Sequence, residues 1–359
     1  MKILSLTDTY DRPETEIYIS LKKSGIDIEL LVRPEPEYPR VQEAGIKTTD
    51  FYVNGRFDLK AIMALRRILK KEKYDILHVW NNRAASVGVL ASIGLPVKII
   101  AYRGIVGNVS FFSPNSWITY FNPKVKKVVC VADAIRRYFV QMNFLGFKLN
   151  PEKFKTIYKG HDQSWYTKDP VDLKQFGIPQ GSFVVGFAGR DRPRKGIENL
   201  VEAVNLLPED VDIHLLLVGK IHRRSLLKLI ESSPRRDSIH LAGYRNDAPE
   251  IAAACSTFAL PSLKGEGFPR AVVEAMSYGT VPIVSDRGGN PELPVDGVSG
   301  FIIPGGNSKG MAEAILKLYH DPELRKKMGA AARQRIIDNF NHQKTVEITI
   351  DLYKEVVSM

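Results

Sequence analysis

Short runs rich in Val, Ile and Leu alternate along the chain with stretches whose apolar residues return every three or four positions. The first kind predicts strands at 2–7, 26–32, 75–80, 97–102 and 127–132, then at 183–189, 213–219, 238–243, 257–262, 281–286 and 300–304. The second kind predicts helices at 61–72, 134–142, 196–206, 225–232, 271–278 and 310–319, with 323–359 helical throughout. Strands that are apolar at nearly every position are buried on both faces, the condition of a parallel sheet covered by helices. The expected fold class is therefore α/β, with two doubly wound, Rossmann-like domains. A composition break near KGHDQSWYTKDP places their boundary, giving domains at 1–165 and 166–340, with the helix 341–359 packing back on the first. In such an enzyme the site is expected in the cleft where the carboxyl ends of the two sheets face each other, so residues just after strands carry most of the chemistry.

Composition adds exclusions rather than identity. Of 359 residues, 44% are hydrophobic and 25% charged, which fits a globular chain and excludes a disordered or fibrous one. No apolar run approaches ~18 residues, the length of a membrane span, and MKILSLTDTY lacks the features of a secretory leader, so a cytoplasmic location is expected. Cys130 and Cys255 stand alone in apolar contexts and read as buried thiols. The net charge of +11 is uneven: residues 1–165 carry 26 Lys and Arg against 16 Asp and Glu, whereas 166–359 carry 25 against 24. A first half at +10 suggests an anionic partner, either a membrane surface or a phosphorylated acceptor; no motif supports nucleic acid.

The richest chemistry lies between Leu260 and Pro304, which reads strand, glycine-bearing loop, helix, strand, glycine loop, strand. Glu266 and Glu274 stand eight apart. If the helix starts near Ala271, Glu266 precedes it and Glu274 lies one turn inside, both beside amides of the first turn that can hold an anion. That layout suits a sugar nucleotide, with phosphate on the amides and the carboxylates on ribose and sugar hydroxyls. Two solvated acids flanking a helix start would be the bland reading of the same spacing.

With its flanks, the segment resembles the E-x7-E signature of glycosyltransferase family 4, retaining enzymes of the GT-B fold. The match includes Glu-Gly-Phe-Pro at 266–269, Glu-Ala-Met at 274–276, the Gly288-Gly289 turn, the Glu292 region and the stretch from Asp296 to Gly300. The resemblance implies that Glu266 contacts the donor sugar and Glu274 the ribose. It also implies backbone contacts from Gly267, Phe268, Arg270 and Ala271, with no amide donor at Pro269. In FAGRDRPRKG the positions matching the family's diphosphate clamp are Arg190, after Gly189, and Lys195, before Gly196. Gly219 matches the glycine near the phosphates, and Tyr244 and Arg245 are base-side candidates or ordinary turn residues.

The first half resembles the family more loosely. The resemblance implies acceptor-side candidates at Thr9, Tyr10, Arg103, Asn108 and His161. Where many members carry a glycine pair after the first strand, this chain has TDTYDRPETE, and where many carry a His it has Arg103, which cannot act as a base but can bind an anion. The resemblance implies a nucleoside diphosphate sugar as substrate, a UDP-sugar ahead of a GDP-sugar, a glycan or lipid-linked acceptor, and no cofactor. No metal is expected, since the Asp210-Val211-Asp212 pattern falls in a turn away from the predicted site. The segment 59–74 reads as a basic amphipathic helix, either resting on an anionic membrane or covering the sheet, and the aromatics of 110–121 line an acceptor pocket, anchor in an interface or pack internally. A nucleotide-sugar epimerase and a catalytically silent glycan- or membrane-binding relative are the alternatives to a glycosyltransferase.

Overall fold

Strands β1 (Lys2–Leu6), β2 (Asp27–Val32), β3 (Lys47–Asp50), β4 (Ile76–Val79), β5 (Lys98–Arg103) and β6 (Val125–Cys130) lie in one sheet. A two-residue-turn hairpin, β7 (Asn143–Phe144) with β8 (Phe147–Lys148), precedes β9 (Phe154–Thr156), which completes the sheet in the order β3-β2-β1-β4-β5-β6-β9. A second sheet holds β10 (Phe183–Ala188), β11 (Ile213–Val218), β12 (Ile239–Gly243), β13 (Thr257–Leu260), β14 (Val281–Ser285) and β15 (Phe301–Ile303), ordered β12-β11-β10-β13-β14-β15. All pairings within the two sheets are parallel, for example Leu6 beside Leu31 and Val79 in the first and Gly186 beside Leu216 and Phe258 in the second. The architecture is the doubly wound α/β one that the apolar strands predict. This computed structural model describes every residue except Thr9, Glu35 and Pro36.

The chain divides into one unit of Met1–Gly160 with His342–Met359 and another of His161–Asn341. The division falls after Gly160 rather than at 165, because the His161 amide donates to the Phe340 carbonyl at 2.8 Å and pairs with Asn341, fastening this segment to the second unit. The predicted helix 323–359 is two helices, Pro322–Asn339 and His342–Ser358. They separate where the buried Phe340 ring packs 5.2 Å from Phe268. His342–Ser358 lies on the first sheet: Val346, Leu352, Tyr353 and Val356 share a core with Ile3, Ile17, Tyr18 and Leu21. Its Tyr353 hydroxyl meets His78 Nδ1 at 2.7 Å, and Lys98 Nζ donates to the Val357 carbonyl.

The basic helix Leu59–Lys71 buries Ala61, Leu65 and Leu69 and packs against the helix Asn82–Ala91, with Arg66 donating to the Ala91 carbonyl. Its Leu59 and Met63 remain exposed. In each unit the strand order reverses at one place, between β1 and β4 in the first and between β10 and β13 in the second. Loops leaving those strands flank the point where doubly wound folds bind ligands.

Candidate active site

In the second unit the switch-point loops are Gly189–Gly196, after β10, and Pro261–Pro269, after β13. They are tied to each other three times: Lys195 Nζ lies 2.8 Å from Glu266 Oε1, Arg194 donates to the Gly265 carbonyl at 2.9 Å, and the Leu263 amide donates to the Arg194 carbonyl at 2.8 Å. Gly196 permits this approach. Its φ is +66°, and a Cβ there would stand 2.2 Å from the Pro261 carbonyl oxygen. Gly219, at the end of β11, is equally constrained, with a Cβ position 2.1 Å from the carbonyl oxygen of Gly189.

Glu266 is buried and built in from behind. The Ser262 hydroxyl donates to Glu266 Oε1 at 2.8 Å, Ser285 donates to the Ser262 carbonyl, and Asn290 donates to the Ser285 hydroxyl at 3.0 Å. Gly288, at φ +61°, presses against the backbone of Glu266, so that a Cβ there would fall 2.2 Å from its carbonyl oxygen. The helix Arg270–Ser277 follows with Pro269 at its cap, and Glu274 sits one turn inside with Arg270 Nε 3.2 Å from its carboxylate. Gly267 and Pro269 are buried; Phe268 and Ala271 are partly so. Lys195 and the loop that leads into the helix Arg270–Ser277 thus lie together at the carboxyl end of the second sheet.

The crowded basic loop resolves into two roles. Arg194 and Lys195 hold the neighbouring loop, whereas Arg190 and Arg192 are exposed. Between them, Asp191 is buried and accepts from the His222 and Arg223 amides at 2.9 and 2.7 Å and from the Arg223 guanidinium. Burial raises its proton affinity, but those donors outweigh burial and hold the carboxyl below the usual range. Arg223 also grips Glu198, so two ion pairs on one guanidinium brace the Gly189 loop, the 220–223 loop and the following helix Ile197–Asn205. Of the base-side candidates, Arg245 is held bidentately by Asp247 at 2.8 and 2.6 Å, while Tyr244 is 78% exposed.

The acceptor-side expectations fare differently. Arg103 is only 3% exposed. Its guanidinium donates to the carbonyls of Ile105 and Gly107 and to Asn82, so it staples the loop after β5 instead of presenting a charge to an anion. Tyr10 lies in the first unit's core, edge-on to Tyr18, because its ring completes the packing beneath β1. His161 is buried in the second unit, its Nδ1 against the Tyr166 hydroxyl. Asn108 is exposed at φ +59°, a backbone position Asn tolerates, and Thr9 lies outside the described residues. What the topology does bring to the first switch point is Asp8, after β1, and Arg83, after β4, in contact at 2.6 Å. Asp8 Oδ1 is buried and meets no hydrogen-bond partner among the described residues. Sequence reasoning missed Asp8, Arg83, Ser262, Asp191 and Asn290. Only their place just after strands could have marked the first four, and many residues share it.

Comparison with known proteins follows the same division. Residues 169–335 match the family model "Glycosyl transferases group 1" and residues 15–165 match "Glycosyltransferase Family 4". An Escherichia coli UDP-Gal:alpha-D-GlcNAc-diphosphoundecaprenol alpha-1,3-galactosyltransferase is 29% identical over 84% of this chain and 80% of its own length. A Bacillus anthracis N-acetyl-alpha-D-glucosaminyl L-malate synthase is 26% identical over 96% and 93%. Among solved structures, a Rickettsia africae glycosyltransferase superposes with a TM-score of 0.85 at 22% identity over 99% of this chain and 98% of its own. Anabaena Alr3699/HepE in complex with UDP gives 0.83 at 22% identity over 99% and 100%. The fold is GT-B, and the enzyme class is that of the glycosyltransferases. Within that class the chain resembles glycosyltransferase family 4 in both of its units.

Proposed function

We propose that this protein is a retaining glycosyltransferase that moves a sugar from a nucleoside diphosphate sugar, with UDP the favoured nucleotide, to a lipid-linked glycan acceptor in surface polysaccharide synthesis. The observation that carries the reading is the Lys195–Glu266 contact, made by the two switch-point loops beside the start of the helix Arg270–Ser277. A diphosphate arriving there competes with Glu266 for Lys195 and finds Arg190 and the amides of Arg270 and Ala271 nearby. Released from Lys195 but still held by Ser262, Glu266 orients the sugar, and Glu274 takes ribose hydroxyls. The bond from the anomeric carbon to the phosphate oxygen breaks as the acceptor oxygen bonds to that carbon on the same face. The acceptor proton passes to the departing phosphate, so no side chain need act as base. Lys195 and Arg190 stabilise the charge that develops on the leaving group, the work a divalent ion does in other transferases, and the reaction is proposed to need no metal. Asp8 and Arg83 are proposed as acceptor-side groups. Support for a lipid-linked acceptor comes from the diphosphoundecaprenol substrate in the Escherichia coli relative's name and from the +10 charge of the first half.

The test is transfer from a UDP-sugar to a polyprenyl-diphosphate-linked sugar in the presence of EDTA, with product configuration read by NMR. Retained configuration, lost in Glu266→Ala, is expected. Inversion, a strict metal requirement or an undiminished Glu266→Ala would contradict the mechanism, and sugar isomerisation without acceptor would make the protein an epimerase.

A further inference from the structure

The hairpin β7–β8 carries an apolar tip for which the fold has no internal use. It pairs Asn143 with Lys148 and Phe144 with Phe147, leaving Leu145 and Gly146 as the turn. Both turn residues have positive φ, +49° and +86°, a combination that favours Asn, Asp or Gly at the first position. Leu145 occupies it instead and is 92% exposed, so the side chain is neither suited to the turn nor buried by the protein. Phe144 and Phe147 flank it, both exposed. Behind them Phe111 packs 6.4 and 5.5 Å from their ring centroids and holds Trp117, whose indole N–H donates to the Phe111 carbonyl at 2.7 Å. Phe112, 77% exposed, stands edge-on to Phe144 at 4.9 Å. Phe112, Trp117, Phe144, Leu145 and Phe147 thus make one braced, outward-facing apolar surface, beyond the single exposed apolar residues normal for a soluble protein.

Its surroundings are positive. Residues 104–151 contain six Lys or Arg and one acid, Asp133, whose carboxylate is taken by Arg136 and Arg137. Lys148, exposed, directly follows Phe147, and Lys126 is exposed as well, while the ammonium groups of Lys124 and Lys153 are engaged within the fold, on the Leu95 and Asn122 carbonyls. Burial, then repulsion from Lys126, pushes the proton affinities of Lys124 and Lys153 down, that of Lys153 to about 8. Aromatic and leucine side chains beside the exposed Lys148, in a stretch with an excess of Lys and Arg, match the boundary of a bilayer that carries anionic headgroups.

We propose that this face is a membrane-docking wedge: Leu145 and its aromatic neighbours enter the interfacial layer, and the exposed Lys148 and Lys126 meet anionic phospholipid. The inference deepens the lipid-linked acceptor reading and rests on it for its purpose, though not for its geometry. The test is flotation of the full chain with vesicles of phosphatidylcholine alone or mixed with phosphatidylglycerol. Binding to the anionic vesicles only is expected, falling with added salt. Leu145→Asn, which suits the turn and keeps the melting temperature, should weaken it roughly tenfold, the effect of withdrawing one leucine from an apolar medium, and Lys148→Gln roughly fivefold. Equal flotation of the variants, or no flotation of the wild type, would overturn the proposal. A concentration-dependent dimer that dissociates in Leu145→Asn, without vesicle binding, would assign the face to a second copy instead. UDP-induced thermal shifts on the same samples separate the two ideas: vesicle binding without a UDP shift leaves the wedge standing and removes the donor reading.

Discussion

Glu266 is the residue on which most of the local structure converges. Ser262 fixes one of its oxygens, Asn290 and Ser285 fix Ser262, and Gly288 leaves room for its backbone. A carboxylate held this way is presented in one geometry, and preorganisation of that kind is what transfer requires. Ser262→Ala removes a donor to a buried carboxylate, worth about 1–2 kcal/mol, and should lower the turnover number roughly tenfold while the nucleotide dissociation constant stays put. Gly288→Ala sets a Cβ against the Glu266 carbonyl at a positive φ and should cost about 1–3 kcal/mol in stability, read by chemical denaturation, with turnover falling as well. Wild-type turnover in Ser262→Ala would mean that the hydroxyl positions nothing that reacts.

At the scale of elements, the switch-point loops and the last helix do the organising. The uninterrupted apolar strands made both sheets legible in the sequence, because a strand buried on both faces has no polar alternative. Edge strands escaped: β3, Lys-Thr-Thr-Asp, is mostly exposed, and β9 is three residues long, so neither needs an apolar run. The candidate site was legible where glycine spacing and acids coincide, from Glu266 to Gly289. Where charge decided, it was not. Arg103, Arg194 and Arg245 look alike in sequence, yet Arg194 is spent on Gly265, far along the chain, while Arg103 and Arg245 are spent within their own loops on Gly107 and Asp247, which a charge count does not distinguish from free cations. The last helix brings its own prediction. Tyr353 meets His78, whose burial lowers its pKa to about 3. The unfolded chain protonates this group as pH falls through about 6.5, whereas the folded chain does not until about 3. Unfolding therefore takes up a proton in that window, and stability declines as pH is lowered. Between pH 7 and 5 the histidine should remove about 2 kcal/mol, a loss absent in His78→Asn, as measured by denaturant titration at both pH values. An identical pH dependence in the variant would show that the imidazole is not held neutral.

On the scale of the whole molecule, the two units share an architecture and differ in charge. The first half holds nearly all the positive excess, together with the aromatic hairpin, while the second is close to neutral, with four of its 25 Lys and Arg between Arg190 and Lys195. That division matches a protein whose first unit handles an anionic acceptor and its surface and whose second unit handles the nucleotide sugar. Among the described residues no helix is long and apolar enough to cross a membrane. The donor site is the centre of this account, and calorimetric titration of UDP into the protein in EDTA tests it most directly. Binding is predicted without added metal, at least tenfold weaker in Lys195→Ala and in Glu274→Ala, with both variants still folded. No binding of UDP or any other nucleoside diphosphate, or equal affinity in the two variants, would contradict the site built around Lys195 and Glu266.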